Sequence, residues 1–247
     1  MSSPQNHNLP TLQVTLPINL DAKKIASDWF NSFVENVLSG NVDGIVDLLV
    51  DDAYWRDLLI LTWEFRTFAG TLRIRKFLQD RLSSVHLQSL KLKDDFCGLQ
   101  QPFPDVAWIM AMFEFETDVG SGSGIFRLVP TASGEWKAHC LFTNLEDLKA
   151  FPENIAELRN RDPSHFKWAE KRRQEMEFEN TQPAVIIIGG GQSGLEVAAR
   201  LKALKISYLV IERYPRVGDS WRNRYEALCL HDPVCKWNRT RILLGRL

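Results

Sequence analysis

Residues 185–201 read VIIIGGGQSGLEVAARL, an apolar run followed by a glycine-rich turn and a helical pattern. The apolar run is continuous, as in a strand covered on both faces. Gly189, Gly191 and Gly194 fit the pattern G-x-G-x-x-G. In that pattern the first glycine permits a tight turn, the second lets a pyrophosphate approach the backbone, and the third lets the helix pack closely on the strand. The stretch therefore predicts the opening of a dinucleotide-binding fold.

The residues that follow support this prediction. Residues 206–212 read ISYLVIE, which predicts a second strand ending at Glu212. A carboxylate about 20 residues after the glycines accepts hydrogen bonds from a ribose 2′-hydroxyl and repels a 2′-phosphate, so it favours FAD or NAD over NADP. Gln192 and Ser193 open the helix, whose free N–H groups and positive dipole end suit phosphates. The alternative is a glycine turn with a structural role only.

Residues 20–150 predict one α+β domain. A helical stripe runs from Ile25 through Trp29, Phe33 and Val37 to Leu38, with SGN at 39–41 as its stop. Helical spacing returns at 71–82. Residues 107–116 alternate between two sets of side chains, as in a strand, and GSGSG at 120–124 and SGE at 133–135 predict hairpin turns. The order is helices first, then a strongly bent antiparallel sheet.

The remaining segments differ in composition. Residues 1–19 are polar and contain prolines, which predicts a flexible arm. Residues 151–182 are densely charged and predict a linker with a helical piece around 166–178. Residues 183–247 form the predicted dinucleotide-binding part.

Composition limits the partners and the compartment. The net charge of −1 gives no reason to expect nucleic acid or an anionic membrane as partner. The four cysteines form no CxxC pair, so we expect reduced thiols, no metal site and a cytoplasmic location. Residues 1–13 contain neither a basic nor an apolar region, and no apolar run reaches the about 20 residues that span a bilayer, so we expect no signal peptide and no membrane span.

Residues 212–233, ERYPRVGDSWRNRYEALCLHDP, resemble the segment after the second strand in flavin-containing monooxygenases. Residues 218–222 match that family's G-[GDA]-x-W block with a nearby basic residue, and Tyr225 to His231 match its Y-x-x-L-x-L-H pattern. The resemblance implies a flavin-dependent monooxygenase-like oxidoreductase that oxidises a small molecule, with FAD at the glycine motif and NADPH and O₂ as co-substrates. The implied FAD contacts are Gly189, Gly191, Gln192, Ser193, Gly194, Glu212, Trp221 and Arg222. The other interpretation makes Trp221 a core residue and Arg222 a surface residue.

The sequence departs from that family in three respects. The family's second glycine motif for NADPH and its F-x-G-x-x-x-H signature do not occur, and the residues after 234 read CKWNRTRILLGRL. We therefore expect an incomplete α/β Rossmann-type βαβ segment, truncated after the first part of the FAD-binding domain and not active by itself as a monooxygenase.

Residues 54–78, YWRDLLILTWEFRTFAGTLRIRKFL, resemble the nuclear-transport-factor-2-like or SnoaL-like cone. The resemblance implies a curved sheet that closes an apolar pocket, which Trp55, Asp57, Trp63 and His139 would line. A desolvated Asp57 would then be a candidate base for a cyclase or isomerase. The other interpretation places the tryptophans in the core and Asp57 and His139 at the mouth or surface. Such folds also serve as binding or assembly modules, so a non-catalytic protein and a homodimer through this domain are further hypotheses.

Overall fold

The computed structural model describes residues 16–17, 19–155, 158, 167–178, 182–224 and 226. The chain divides into two compact units, Met1–Ala150 and Phe151–Leu247. Most of the expected arm, parts of the expected linker, and the predicted Tyr225–His231 pattern except residue 226 lie outside the described residues.

The first unit combines three helices with a six-stranded sheet, as predicted for an α+β domain. The strand order is β2-β1-β6-β5-β4-β3. The elements are α1 Ala22–Ser39, α2 Val42–Asp47, β1 Leu49–Leu58, β2 Phe65–Ala69, α3 Thr71–Val85, β3 Gln88–Phe103, β4 Val106–Glu116, β5 Gly120–Pro130 and β6 Trp136–Leu148.

Helix α1 forms where its apolar stripe predicts it. The Asp21 side chain accepts from the Lys24 N–H at 3.0 Å and caps the first turn. Gly40, with φ of 68°, ends the helix in the left-handed conformation. The stripe is buried at Trp29, Phe33 and Val37, but Leu38 is 62% exposed, so that part of the prediction is wrong. The reason is that one residue turns a helix about 100° away from its buried face.

The sheet is mixed rather than purely antiparallel. Strand β1 pairs in parallel with β6, whereas the other four pairings are antiparallel. The predicted antiparallel sheet is therefore wrong at this one ladder. The physical reason is the route of the chain: the β3–β6 meander alternates direction and brings β6 to the edge of β1 that β2 leaves open, with both strands running the same way.

The stretch GSGSG is strand rather than turn. Residues 120–124 lie inside β5, and the reversal occurs just before, where the Thr117 N–H donates to the Gly120 carbonyl at 2.8 Å. A Cβ on Gly122 would lie 2.5 Å from the ring of Phe115, and one on Gly124 only 2.1 Å from the ring of Phe113. These glycines therefore make room for aromatic rings across the β4–β5 ladder. The predicted turn at 133–135 is present, with φ of 86° at Gly134.

Aromatic rings fill the space between the helices and the sheet. The Phe33 ring stacks on Trp29 at 5.3 Å between centroids and meets Phe113 at 6.0 Å. Phe126 lies 4.5 Å from Trp29, and Trp55 is fully buried. Rings packed at these distances attract one another beyond their burial. The inner face of the sheet is therefore packed with aromatic rings.

The opposite side of the sheet, which we call the outer face, carries side chains that no helix of the first unit covers. Its centre is formed by Met110, Met112, Ile125 and Phe142, which are half-buried and alternate along β4, β5 and β6 with core residues. Strand register places Met112 beside Ile125 and Ile125 beside Phe142.

The two edge strands of this sheet are irregular or short. Strand β2 has 5 residues. The pairing of β3 with β4 shifts register between Gln88 and Lys91, between Lys93 and Gly98, and between Gln100 and Phe103. Such shifts bend an edge strand and interrupt its ladder.

The second unit contains one exposed helix and a small α/β element. Its elements are α4 Trp168–Glu177, β7 Val185–Ile188, α5 Gln192–Ala203, β8 Tyr208–Ile211 and α6 Asp219–Arg222. Every residue of α4 is exposed, and Arg173 pairs within it with Glu170 and Glu177. Across the described ranges, no helix combines the length and apolar character needed to cross a bilayer.

We expect Gly124→Ala to lower the free energy of unfolding of the first unit by about 1–3 kcal/mol, because the new methyl group overlaps the buried ring of Phe113. Urea denaturation measures the loss. Gly98→Ala is the matched control, since a Cβ there meets nothing within 4 Å. Equal midpoints for the two variants would show that the β4–β5 ladder relaxes around the methyl group.

Candidate functional site

The pairing of β7 with β8 brings the residues after both strands together. The two strands are parallel, with Ile188 beside Ile211, so their carboxyl ends lie at the same edge. The Gly189 N–H donates to the Ile211 carbonyl at 2.8 Å, which extends the ladder into the loop. Glu212 follows Ile211 directly and therefore lies beside the glycine loop. Open parallel sheets bind ligands at this end of their strands.

Each glycine of the motif meets a different constraint. Gly189 has φ of 102°, a conformation that side-chain-bearing residues rarely adopt. A Cβ on Gly194 would lie 1.9 Å from the Gly189 carbonyl oxygen, so only glycine allows α5 to pack this closely on the loop. A Cβ on Gly191 would meet no atom nearer than 3.9 Å. Gly189 and Gly194 are therefore required by the backbone conformation and by the packing of α5. Gly191 is required by neither, and it leaves open space beside the loop.

The N-terminus of α5 points its donors toward that space. Gly191 is the N-cap residue, and no side chain caps the helix. The first N–H groups of a helix have no partner within the helix, and the dipole adds positive potential there. Gln192 and Ser193 are exposed in this first turn, where Gln192 donates to Glu196 at 3.2 Å. The arrangement suits a phosphate group.

Glu212 is held against the loop by backbone donors. One carboxylate oxygen accepts from the Tyr214 N–H at 3.0 Å, and the other accepts from the Gly190 N–H at 2.6 Å. These two hydrogen bonds, that of Tyr214 first, lower the pKa of Glu212 below its ordinary value. The carboxylate is therefore ionised and fixed in position near neutral pH, as an acceptor for hydroxyl groups.

The segment after β8 folds back toward the loop through α6. Trp221 is half-buried, and the Arg222 side chain donates to Asp219 at 2.7 Å rather than pointing into the glycine loop. Asp219 and Ser220 lie within residues 218–222 but are not among the FAD contacts that the resemblance implies. Ser220 lies near Gly191, and its position depends on the turn at Gly218, which has φ of 89° and is not recoverable from spacing.

In the first unit, Asp57 is part of a buried hydrogen-bond network. It is completely buried, so its expected place at a pocket mouth or surface is wrong. Its oxygens accept from the N–H groups of Leu61 and Thr62 at 2.9–3.2 Å, from the Thr62 hydroxyl at 3.0 Å and from the Thr143 hydroxyl at 2.8 Å. Trp55 donates to the same Thr143 oxygen at 3.1 Å. Asp57 thus ties the turn after β1 to β6, and its acceptor sites are already occupied.

The other two expected pocket residues lie apart from Asp57. Trp63 is 64% exposed in the loop between β1 and β2, which places it outside the core. His139 is buried, again a correction to the expected surface position, and it lines a shallow cavity with Trp108, Arg127 and Cys140. The pairing of β5 with β6 shifts register between Arg127 and Leu128, which are paired with Cys140 and Ala138, so His139 lies at the irregularity between these two pairs. Burial is the main cause that lowers the pKa of His139.

Comparison with known proteins finds short similarities, and no protein-family model matches the chain. CzcO of Bacillus velezensis, named as an uncharacterized oxidoreductase, is 42% identical over 45 residues, which is 18% of this chain and 13% of that protein. The indole-3-pyruvate monooxygenase YUCCA4 of Oryza sativa subsp. japonica is 40% identical over 52 residues, which is 21% of this chain and 12% of that protein. The matched segments thus span only 12–13% of the length of these curated relatives.

Two solved structures cover about half of the chain. A ketosteroid isomerase-like protein from Erwinia carotovora atroseptica has 12% sequence identity and a TM-score of 0.41, over 53% of this chain and 99% of that chain. ActVI-ORFA from Streptomyces coelicolor has 14% identity and a TM-score of 0.40, over 50% of this chain and 96% of that chain. The α+β class of the first unit is established by its own strand order and core, and not by these two similarities.

We expect Gly194→Ala to destabilise the β7–α5–β8 element by about 1–3 kcal/mol, because its methyl group would overlap the Gly189 carbonyl. Gly191→Ala is the matched control and leaves the element intact, since the methyl group has room. Amide hydrogen exchange of residues 185–211 in the ligand-free chain measures both. Equal protection in the two variants would show that a methyl group at position 194 is tolerated as well as one at position 191, and would contradict the steric constraint at Gly194.

We expect Asp57→Asn to lower the stability of the first unit by about 1–3 kcal/mol, because the amide presents a donor to N–H groups that need an acceptor. Thermal and urea denaturation measure this loss. Asp47→Asn, an exposed position on α2, serves as control and leaves stability unchanged. A variant at Asp57 as stable as the control would contradict the structural role.

Proposed function

We propose that the second unit binds FAD across the glycine loop and is the cofactor-binding part of a flavin-dependent monooxygenase-like oxidoreductase. The observation that carries the proposal is the Glu212 carboxylate, fixed by the Gly190 N–H at 2.6 Å beside the open space at Gly191. A dinucleotide offers the two groups that these features suit: ribose hydroxyls for the carboxylate and a pyrophosphate for the glycine and the helix.

The residues present fit this cofactor in donor type and in space. Gly191 leaves room, the uncapped start of α5 supplies N–H donors, and the Ser220 hydroxyl is buried beside the loop without a hydrogen-bond partner among the described residues. Glu212 supplies negative charge, which favours a ribose without a 2′-phosphate. The short similarities to an oxidoreductase and a monooxygenase support the same choice.

The roles of the chain's own residues follow from this fit. Glu212 would orient the adenosine ribose, and Gly189 and Gly194 would keep the loop and α5 in the conformation that receives the pyrophosphate. Bound FAD would supply electron transfer between NADPH, O₂ and a small-molecule substrate, which is chemistry that side chains do not provide. The contribution of this unit is binding and orientation of the adenine half of the cofactor.

We propose further that the first unit forms a homodimer through its outer face. Met110, Met112, Ile125 and Phe142 form an apolar centre there that the helices leave uncovered. Apolar residues grouped on one face of a sheet favour association, because their burial releases water. Two-fold dimers are the commonest homo-oligomers.

We expect the 247-residue chain to bind FAD, and Glu212→Ala to raise the Kd about ten- to a hundredfold, because a charged acceptor for two ribose hydroxyls is lost. Gly191→Val places a branched side chain in the open space and eliminates binding. Titration of FAD fluorescence measures each Kd. Glu226→Ala removes an exposed carboxylate of the same unit and serves as control.

The pH dependence of FAD binding provides a second measure of the contribution of Glu212. The pKa of Glu212 is lowered from an ordinary value of 4.5, so its carboxylate is mostly ionised above that pH. The affinity it contributes is present above pH 4.5 and is lost as the pH falls through the lowered pKa. Glu212→Ala removes this acid-side loss. A wild-type chain that binds no FAD, or variants that bind as well as the wild type, would refute the proposed site.

We expect the wild-type chain to elute as a dimer and Ile125→Glu to elute as a monomer in size-exclusion chromatography with light scattering. A charge at the centre of the outer face would remain buried without a partner in the dimer. Leu38→Glu, at an exposed position of α1, is the matched control and leaves the dimer intact. A monomeric wild-type chain at tens of micromolar would contradict this assembly.

A further inference from the structure

The outer face of the six-stranded sheet carries a cation on one side of its apolar centre. Arg127 follows Ile125 by two residues on β5, and its guanidinium lies 5.3 Å from the centre of the Trp108 ring. Cation–π attraction holds a guanidinium over a ring and leaves its N–H groups available to an acceptor. Among the described residues, no carboxylate pairs with Arg127. It is therefore a held positive charge that lacks an anionic partner in this part of the chain.

A carboxylate lies on the opposite side of the same centre. Glu146 accepts from the Ser123 hydroxyl at 2.5 Å and from the Asn144 amide at 3.0 Å, which places its carboxylate over the outer face. No lysine or arginine pairs with it within the described ranges. Ser123 precedes Ile125 by two residues, as Arg127 follows it by two. The face thus carries opposite charges at equal distances of about 7 Å along β5 from its centre.

Three further charges of this face have local partners. Two ion pairs join β4 to neighbouring segments, both at 2.9 Å: Lys93–Glu114 and Lys149–Glu116. Arg56 of β1 donates to the Thr67 hydroxyl at 2.9 Å, on the edge strand β2 and away from the centre. Arg127 and Glu146 are therefore the charges that remain to act on a partner.

Two copies that meet through this face can be related by a two-fold axis in two simple ways. An axis along the strands places each side chain of β5 opposite itself, so Arg127 faces a second Arg127 and the two Glu146 carboxylates lie together. An axis across the strands reverses the direction of β5 about Ile125 and exchanges positions 123 and 127. Arg127 of each copy then lies opposite the Ser123–Glu146 pair of the other. Like charges repel in the first arrangement, and opposite charges attract in the second.

We propose that the homodimer uses the second arrangement, in which β5 strands of the two copies run antiparallel across the interface and Arg127 of each copy pairs with Glu146 of the other. The inference rests on the proposed homodimer and adds its register. Sheets packed face to face keep their strand lines within about 30° of each other, so both arrangements are compatible with sheet packing and the charges select between them. Each dimer then holds two such ion pairs, one on either side of the paired Ile125 side chains.

The ion pairs specify the register, whereas the apolar centre drives association. Charges arranged across an interface fix its register, and like charges placed opposite each other oppose the wrong one. Trp108 already holds Arg127, and Ser123 and Asn144 already hold Glu146, so little side-chain freedom is lost when the copies meet. Association gives each of these two charges the partner that it lacks in one copy.

Exchange of the two charges in the full chain tests the register. We expect Arg127→Glu and Glu146→Arg each to raise the dissociation constant of the dimer about a hundredfold or more, because two attractive pairs become two repulsive ones. The double variant Arg127→Glu/Glu146→Arg restores two attractive pairs and returns the constant to within about tenfold of the wild-type value. Sedimentation equilibrium measures each constant. Glu35→Arg, at an exposed position of α1, is the matched control and leaves the constant unchanged.

A mixture of the two single variants shows whether the charges act between copies. The Arg127→Glu chain presents only carboxylates at these positions and the Glu146→Arg chain only guanidinium groups, so we expect the mixture to form heterodimers although neither variant dimerises well alone. A misfolded variant would not associate in the mixture, so this measurement separates loss of the ion pair from loss of the fold. Circular dichroism of each variant provides the same check.

The outcomes distinguish this inference from the proposed homodimer. A dimeric wild-type chain whose two single variants dimerise equally well overturns the register and leaves the homodimer standing. A double variant as weakly associated as the single variants also overturns the register, since the lost contacts would then not be those between Arg127 and Glu146. A wild-type chain that stays monomeric overturns both.

Discussion

The close approach of α5 to the glycine loop is the constraint on which the candidate site depends. The backbone of Gly194 lies so near the Gly189 carbonyl that a single added carbon would overlap it. This contact fixes the start of α5 directly behind the loop. The loop in turn continues the parallel ladder to Ile211, which brings Glu212 to the Gly190 N–H. Steric exclusion at one position thus determines where a carboxylate and a helix N-terminus meet.

In the first unit, glycines make room for aromatic rings. Gly122 and Gly124 lie in the middle of β5, and the rings of Phe115 and Phe113 occupy the volume that their side chains would take. Large rings packed over small residues let a sheet curve while its core remains dense. The result is an interior filled by aromatic side chains, with Asp57 serving the turn after β1 through its hydrogen bonds rather than lining a cavity.

The sequence predicts those features that follow from local chemistry. The apolar stripe of α1 and the α+β class of the first unit follow from periodicity. The meeting of Glu212 with the glycine loop follows from the parallel course of two short strands. The sequence predicts a turn at GSGSG where the structure has a strand, because glycine is typical both of a turn and of a position that makes room for a ring on the partner strand. The position of Trp63 depends on a loop, and that of His139 on a register shift. The position of Ser220 depends on the turn at Gly218 and on the ion pair between Arg222 and Asp219. These are long-range or conformational facts that spacing does not encode.

The edges of the six-stranded sheet limit how this protein can associate with itself. An open edge is a template on which further strands can add without end, which is the route to fibres. Strand β2 offers 5 residues, and β3 departs from its ladder at three places, so neither edge presents a long regular row of free N–H and C=O groups. The irregularity of β3 therefore makes this edge a poor template for the addition of further strands.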